Sequence, residues 1–334
     1  MKKEELMSKR LLKFLVFYGA ILYLFFINSI VWASTGKVQV ANAGNNSITK
    51  LSSTGKSIGT YPVGKGPIGI AIDSTGNVWI TNLGSNNVTK LSSTGKSIGT
   101  YPVGKGPWGI AIDSAGNVWI ANPVSNNVTK LNSSGKTIGT YPVGKGPDGI
   151  AIDHHGNVWV ANWRSNNVTK LSFSGKTIGT YPVGSGPIGI AVDPHGNVWV
   201  VNEGSNNVTK LSFSGKTIGI YHVGSGPIGI AINPHGNVWV TNEGSDNVTK
   251  LSFSGKTIGI YPVGSFPGGI AIDSTGNVWV ANYGSKGVTK LGPGGKTIGT
   301  YDVVSNPVGI AIDSAGNVWV ANLGFNRNNL PKCK

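Results

Sequence analysis

The stretch Gly69-Ile-Ala-Ile-Asp-Ser-Thr-Gly-Asn-Val-Trp79 returns with small changes at Gly109, Gly149, Gly189, Gly229, Gly269 and Gly309. A fixed period of forty residues marks stacked or ring-arranged supersecondary units. Within one unit, residues 69–73 form a short β-rich run. Residues 74–77 give a hairpin signal, with Gly76 free to take positive φ. Three further runs follow, around residues 78–81, 88–92 and 97–103, separated by polar or Gly-rich turns. Four short strands per forty residues, with no helical period, describe one blade of a β-propeller.

The first, third and fourth strand types each occur seven times, and the second occurs once more than that. Residues 37–63 supply strands two to four, and residues 309–322 supply strands one and two. Joined, they predict an all-β, seven-bladed propeller of four-stranded blades closed by the two terminal segments. Closure removes exposed sheet edges. A β-solenoid is the alternative, but it has no reason to divide one repeat between two ends. The spare second strand yields a sharper expectation. Trp319 lies in one copy, whereas Lys37-Val-Gln-Val40 lacks a tryptophan. Truncating a buried Trp costs roughly 3–5 kcal/mol. Residues 318–321 should therefore take the slot and residues 38–41 should be displaced.

Residues 1–33 read differently. Five basic residues precede or begin an apolar run, followed by Val31-Trp-Ala33. This is a signal-peptide pattern with a cut before Ser34; the rival reading is an uncleaved membrane anchor. Either way the basic flank stays inside and the repeats end up extracytoplasmic, secreted or at the cell surface. The domains are then 1–33 leader or anchor, 34–323 propeller and 324–334 tail. The lone cysteine, Cys333, excludes an intrachain disulfide and a cysteine-based zinc site.

The formal charge is +15; residues 1–33 carry five basic and two acidic groups, which leaves +12 for the remainder. Fourteen of the lysines repeat at two positions, Lys50 to Lys290 and Lys56 to Lys296 in steps of forty. Their charge is read as spread round the ring, which disfavours nucleic acid and suits anionic wall polymers, membranes or polysaccharides. Anchoring in a membrane is expected only through the N-terminal segment if it is not cleaved, and the chain is expected to be monomeric.

The tryptophans from Trp79 to Trp319 in steps of forty are read as wedges between blades. The aspartates closing the first strand, such as Asp73, Asp113, Asp153 and Asp193, are read as hairpin caps accepting backbone N–H bonds, a role Asn233 can share. His154, His155, His195 and His235 fall in the first hairpin, too far apart to share a metal, and His222 has no evident partner. The sequons at Asn87, Asn127, Asn167, Asn207 and Asn247 are one repeat position copied.

Function is expected where the copies differ. Two loops per blade open on one face, one leading into the first strand and one following the second. After the lead-in proline stand Ile68, Trp108, Asp148, Ile188, Ile228, Gly268 and Val308; after the second strand stand Leu83, Pro123, Trp163-Arg164, Glu203, Glu243, Tyr283 and Leu323. Trp108, Asp148, Trp163, Arg164, Glu203, Glu243 and Tyr283 are therefore the candidate ligand-binding residues. Aromatic plates with carboxylates and an arginine suit a sugar-like or cationic ligand. Neutral drift on an exposed face is the plainer alternative.

The Gly-Pro-x-Gly-Ile-Ala-Ile-Asp-x-x-Gly-Asn-Val-Trp phrase and the Asn-Asn-Val-Thr-Lys-Leu strand resemble NHL-type and streptogramin-lyase-like (virginiamycin B lyase-like) propellers. The Tyr-Pro-Val-Gly-x-Gly-Pro segment is similar to the YVTN surface-propeller repeat. The resemblance covers residues 38–323 and implies the fold. In the lyases it implies elimination by histidines after the lead-in proline, with a nearby glutamate. None of the seven lead-in residues here is histidine, and only Asp148 is titratable. The expected function is therefore an exported binding or interaction propeller whose ligand is a glycan, cell-wall component or protein, with no catalytic residues assigned. The alternative is a lyase- or lactonase-type enzyme using Asp148, Glu203 or Glu243. No motif identifies a cofactor or metal.

Overall fold

The computed structural model describes residues 46–51, 57–285, 287–302, 307–313 and 318–322. The leader, residues 38–41, Leu323 and the tail lie outside these. Among the described residues no helix is long and apolar enough to cross a membrane.

The chain forms an all-β propeller. Six complete four-stranded antiparallel sheets follow one another, each with its strands in sequence order. In the first, the strands are Pro67–Ile72, Val78–Asn82, Asn87–Leu91 and Ser97–Pro102. The first strands of successive blades lie beside one another and so line the axis. Two half-sheets remain. Ser47–Leu51 pairs with Ser57–Pro62, and Pro307–Ile312 pairs with Val318–Asn322. Val318–Asn322 lies next to Ser47–Leu51, and Pro307–Ile312 lies next to Pro67–Ile72. The C-terminal copy therefore sits in register as a second strand, with Trp319 opposite Ala311. The other half of that expectation concerns residues outside the described set.

The repeated phrase is explained by how tightly blades approach. A Cβ at Gly149 would overlap the carbonyl of Ile188 in the next blade, so only glycine fits where that peptide crosses. At the outer turn, Gly135 has φ +90° and a Cβ there would overlap the Tyr101 ring of the preceding blade.

Between blades the core is a repeated seam. Trp159 is fully buried, packed with Ile190, Val198, Val200 and Leu211 of the next blade. Trp79, Trp119, Trp159, Trp199 and Trp239 are thus wedges, as expected. The first hairpin of each of the six complete blades is capped as expected too. Asp153 Oδ1 accepts from the backbone N–H of His155 and Asn157 at 3.0 and 2.9 Å. The same carboxylate does more: Oδ2 accepts the Trp159 indole N–H at 3.0 Å and lies 3.8 Å from Lys170 Nζ. That ammonium sits 4.5 Å above the Trp159 ring and donates to the Phe213 carbonyl of the next blade at 2.6 Å.

This corrects the reading of the charge. The third-strand lysines of the complete blades, from Lys90 to Lys250, are buried bolts between blades. The exposed ring is the other set, Lys96 to Lys296, on the outer turns.

Candidate functional site at the mouth of the axis

The two variable loops of a blade are zipped together. The linker before strand one and the turn after strand two exchange backbone bonds: Trp163 N–H to Gly146 O at 2.9 Å, Glu203 N–H to Gly186 O at 3.0 Å, Glu243 N–H to Gly226 O at 2.8 Å, and Tyr283 N–H to Phe266 O at 2.9 Å. An asparagine at positive φ holds the linker in turn; Asn166, at φ +52°, accepts the Gly186 N–H at 2.9 Å. Leu83, Trp163, Glu203, Glu243 and Tyr283 are thereby fixed at the same height, whereas Pro123, which has no N–H, does not make this bond.

The side chains form two tiers about the axis. Of the lead-in tier, Ile68, Trp108, Ile188, Ile228 and Val308 all belong to one apolar cluster. Tyr283 is buried in the same cluster, and Leu83 and Trp163 of the upper tier pack against it. Trp108 is only 3% exposed, so it is a plug of the axis and not the exposed plate the sequence suggested. Its carbonyl accepts from Thr81 Oγ1 of the preceding blade at 2.8 Å. Its N–H donates to Ala121 O at 2.9 Å, where the first strand is shortened to Ile110–Ile112.

Three carboxylates interrupt this apolar surface: Asp148 in the lead-in tier, Glu203 and Glu243 in the upper. Asp148 is buried, and its Oδ1 has no hydrogen-bond partner. Burial, reinforced by the charge of Glu203, holds its pKa well above the usual carboxylate range. Burial also pushes Glu203 up to about 7, against a bond from the Trp163 indole and with help from the charge of Glu243. That bond runs from Trp163 Nε1 to Glu203 Oε2 at 3.3 Å, joining adjacent blades. Glu243 is buried as well. The structure therefore brings Trp108, Asp148, Trp163, Glu203, Glu243 and Tyr283 to one mouth, whereas Arg164 stands exposed at its rim.

Chemically, this is an apolar cluster with carboxyl groups set into it, of which Glu203 stands poised between neutral and ionised. A cation or a set of hydroxyls entering it would supply what Asp148 Oδ1 lacks. Among the described residues no group of three or more His, Cys, Asp or Glu side chains is arranged to hold a metal ion. The four hairpin histidines are exposed at the opposite end of the blades, as expected.

The fold and mouth define a β-propeller whose variable loops gather at one end of the axis. More particularly, the sequence matches the virginiamycin B lyase family over residues 26–223 and again over 136–329, and the chain belongs to that family. No curated protein matches it in sequence. Among solved structures, it is similar to a streptogramin B lyase, at 21% identity and TM-score 0.72 over 77% of this chain and 90% of that one. It is also similar to a catalytically inactive histidine-to-alanine variant of virginiamycin B lyase from Staphylococcus aureus with quinupristin. There the identity is 18% and the TM-score 0.71, over 85% and 97% of the two chains. Hydrazine synthase of Kuenenia stuttgartiensis shares 19% identity and a TM-score of 0.69 over 78% and 96%. At such identities the likeness establishes fold alone.

Proposed function

We propose that this chain is an exported seven-bladed propeller that binds a ligand at the carboxylate-bearing mouth, using Trp163, Glu203, Glu243, Tyr283 and Asp148. The observation that carries this is the buried, unpartnered Asp148 Oδ1 beside two further carboxyl groups in an otherwise apolar bowl. Leaving such a group unsatisfied costs about 1–3 kcal/mol, and a ligand bringing ammonium, guanidinium or hydroxyl donors recovers that energy. An amino-bearing glycan, a wall component or a basic protein segment fits. The seventh blade is assembled from the two half-sheets, supported by the contact of Val318–Asn322 with Ser47–Leu51. Export rests on the basic-then-apolar leader. The test is a glycan and wall-fragment array read with wild type, Glu203→Gln and Trp163→Ala. Binding of amino-bearing ligands that both variants weaken supports the proposal, and signals identical in all three overturn it.

A second reading has one observation in its favour. Glu203, with its pKa near 7, is placed to serve as a general base, which an elimination or lactone opening needs. Incubation with quinupristin separates the readings by mass spectrometry. Elimination opens the ring without change of mass, and hydrolysis adds one water. An opened product that Glu203→Gln abolishes would favour the enzyme; an intact ring leaves the binding reading standing.

A further inference from the structure

The face opposite the mouth carries a feature that ligand binding does not use. Phe173, Phe213 and Phe253 occupy the outer-hairpin position of three consecutive blades, where other complete blades have Ser93, Ser133 and Pro293. They are 67%, 62% and 58% exposed. Their backbone is not loose, since the carbonyls of the three are held by Lys130, Lys170 and Lys210 at 2.6–2.7 Å. The turns are pinned and only the rings project. Three residues on in each turn stands an exposed lysine, Lys176, Lys216 or Lys256, and two further on an isoleucine about half exposed. The same three blades carry the exposed histidines, and the Phe173 Cβ lies against Gly156 of the turn that bears His154 and His155.

The charge of this face is one-sided. Among the described residues its acids are the hairpin-capping aspartates, and these are engaged within the blade. Asp113, Asp153 and Asp193 each pair with a buried lysine and accept an indole N–H, and Asp273 accepts one as well. What this end shows to solvent is aromatic and cationic.

We propose that this arc of Phe173, Phe213 and Phe253 with Lys176, Lys216 and Lys256 docks the propeller onto an anionic lipid bilayer. Three rings at one register position, on turns at the same end of adjacent sheets, present a common front to a planar surface. Phenylalanines enter the boundary between headgroups and acyl chains, and flanking lysines meet anionic headgroups. A protein partner would instead demand complementary relief and acidic groups, and a soluble polyanion would make no use of the rings. Docked this way, the carboxylate mouth faces away from the membrane. The proposal does not depend on what the mouth binds.

The test is lysine acetylation footprinting of the full chain on phosphatidylcholine vesicles with and without phosphatidylglycerol. Expected is protection of Lys176, Lys216 and Lys256, and not of Lys65, Lys105 and Lys145, which stand exposed in the linkers at the mouth end, on the anionic vesicles. The triple change F173S/F213S/F253S should remove that protection and lower the vesicle-bound fraction about tenfold, with thermal unfolding unaltered. S133F, which extends the arc by one blade, should raise it. Comparing lysines of opposite faces separates this docking from any insertion of the N-terminal apolar segment, which would leave both sets equally reactive. Equal protection of both faces overturns the proposal. So does protection that grows with protein concentration in the absence of lipid, which would mean a second copy. So does protection by soluble polyglycerol phosphate that the triple change does not reduce.

Discussion

The propeller buries ionisable groups in two places and treats them in opposite ways. In the seam between blades, burial works to raise the Asp153 pKa. Bonds from Trp159, from the Asn157 side chain, and from the Asn157 and His155 backbone outweigh it, and the net direction is down. At the mouth, Asp148 meets burial and a like charge with no donor on Oδ1, and its pKa goes up. A satisfied buried charge fixes geometry, and an unsatisfied one holds energy in reserve for something else to release. The seam repeats almost unchanged from blade to blade, whereas the mouth residues change, with only the pairs Ile188/Glu203 and Ile228/Glu243 alike. The comparison therefore separates scaffold from site on energetic grounds as well as on sequence.

Removing the seam carboxylate should show the larger effect. Asp153→Ala leaves the buried Lys170 ammonium without its counter-charge and the Trp159 indole N–H without an acceptor, and breaking a buried pair typically costs about 3 kcal/mol. The loss should appear as a lower urea midpoint with unchanged slope. Glu203→Gln should do the reverse. Its folded pKa lies above its unfolded value of 4.5, so the native state holds the extra proton and stability falls as pH rises from about 4.5 to about 7. The glutamine variant should lose Glu203's share of that decline, keep the share due to Asp148, and be more stable than wild type by about 2 kcal/mol at pH 8. The seam aspartates with lowered pKa lose their contribution in the other direction, as pH falls through their folded values. Wild-type stability should therefore peak between about pH 4 and 5. Urea melts at pH 3, 4.5 and 8 check both limbs; a peak at pH 8 would erase the distinction between seam and mouth.

The period, the strand order and the two variable loops were legible because every copy repeats the same local chemistry. Gly69, Gly76 and Trp79 announce a strand, a turn and a strand with no help from distant residues. Burial across blades was harder to read. Lys90 on a polar-looking strand reads as solvated, yet it is two residues from Val88 and shares its face, which is buried. The alternation held the signal; the carbonyl that receives the ammonium lies forty-three residues away in the next blade, at Ser133. Trp108 was placed at the right position and given the wrong exposure. Whether a lead-in residue plugs the axis or lines a surface depends on all the other first strands at once. The raised pKa of Glu203 likewise comes from burial among neighbouring blades, opposed by the Trp163 indole and reinforced by the charge of Glu243, which no single repeat contains.

One copy of the seam departs from the rest and provides the smallest and cleanest test. Asn233 keeps the hairpin cap, accepting the His235 and Asn237 N–H groups at 3.1 and 2.9 Å. The indole bond is missing there, and Trp239 Nε1 is buried without a partner. Lys250 still reaches the Pro293 carbonyl at 2.8 Å and sits 4.8 Å from the Trp239 ring, but burial lowers its pKa with no aspartate to oppose it. Asn233→Asp should restore both contacts and stabilise the chain by about 1 kcal/mol at pH 7. The gain should fade as the pH falls toward 3, because a carboxylate whose folded pKa is depressed loses its contribution on protonation. The Trp239 indole N–H should also exchange more slowly with solvent deuterium. If the variant is neutral or destabilised at pH 7, the satisfied seam is not what distinguishes scaffold from mouth, and the orphaned indole is tolerated for a reason outside this carboxylate.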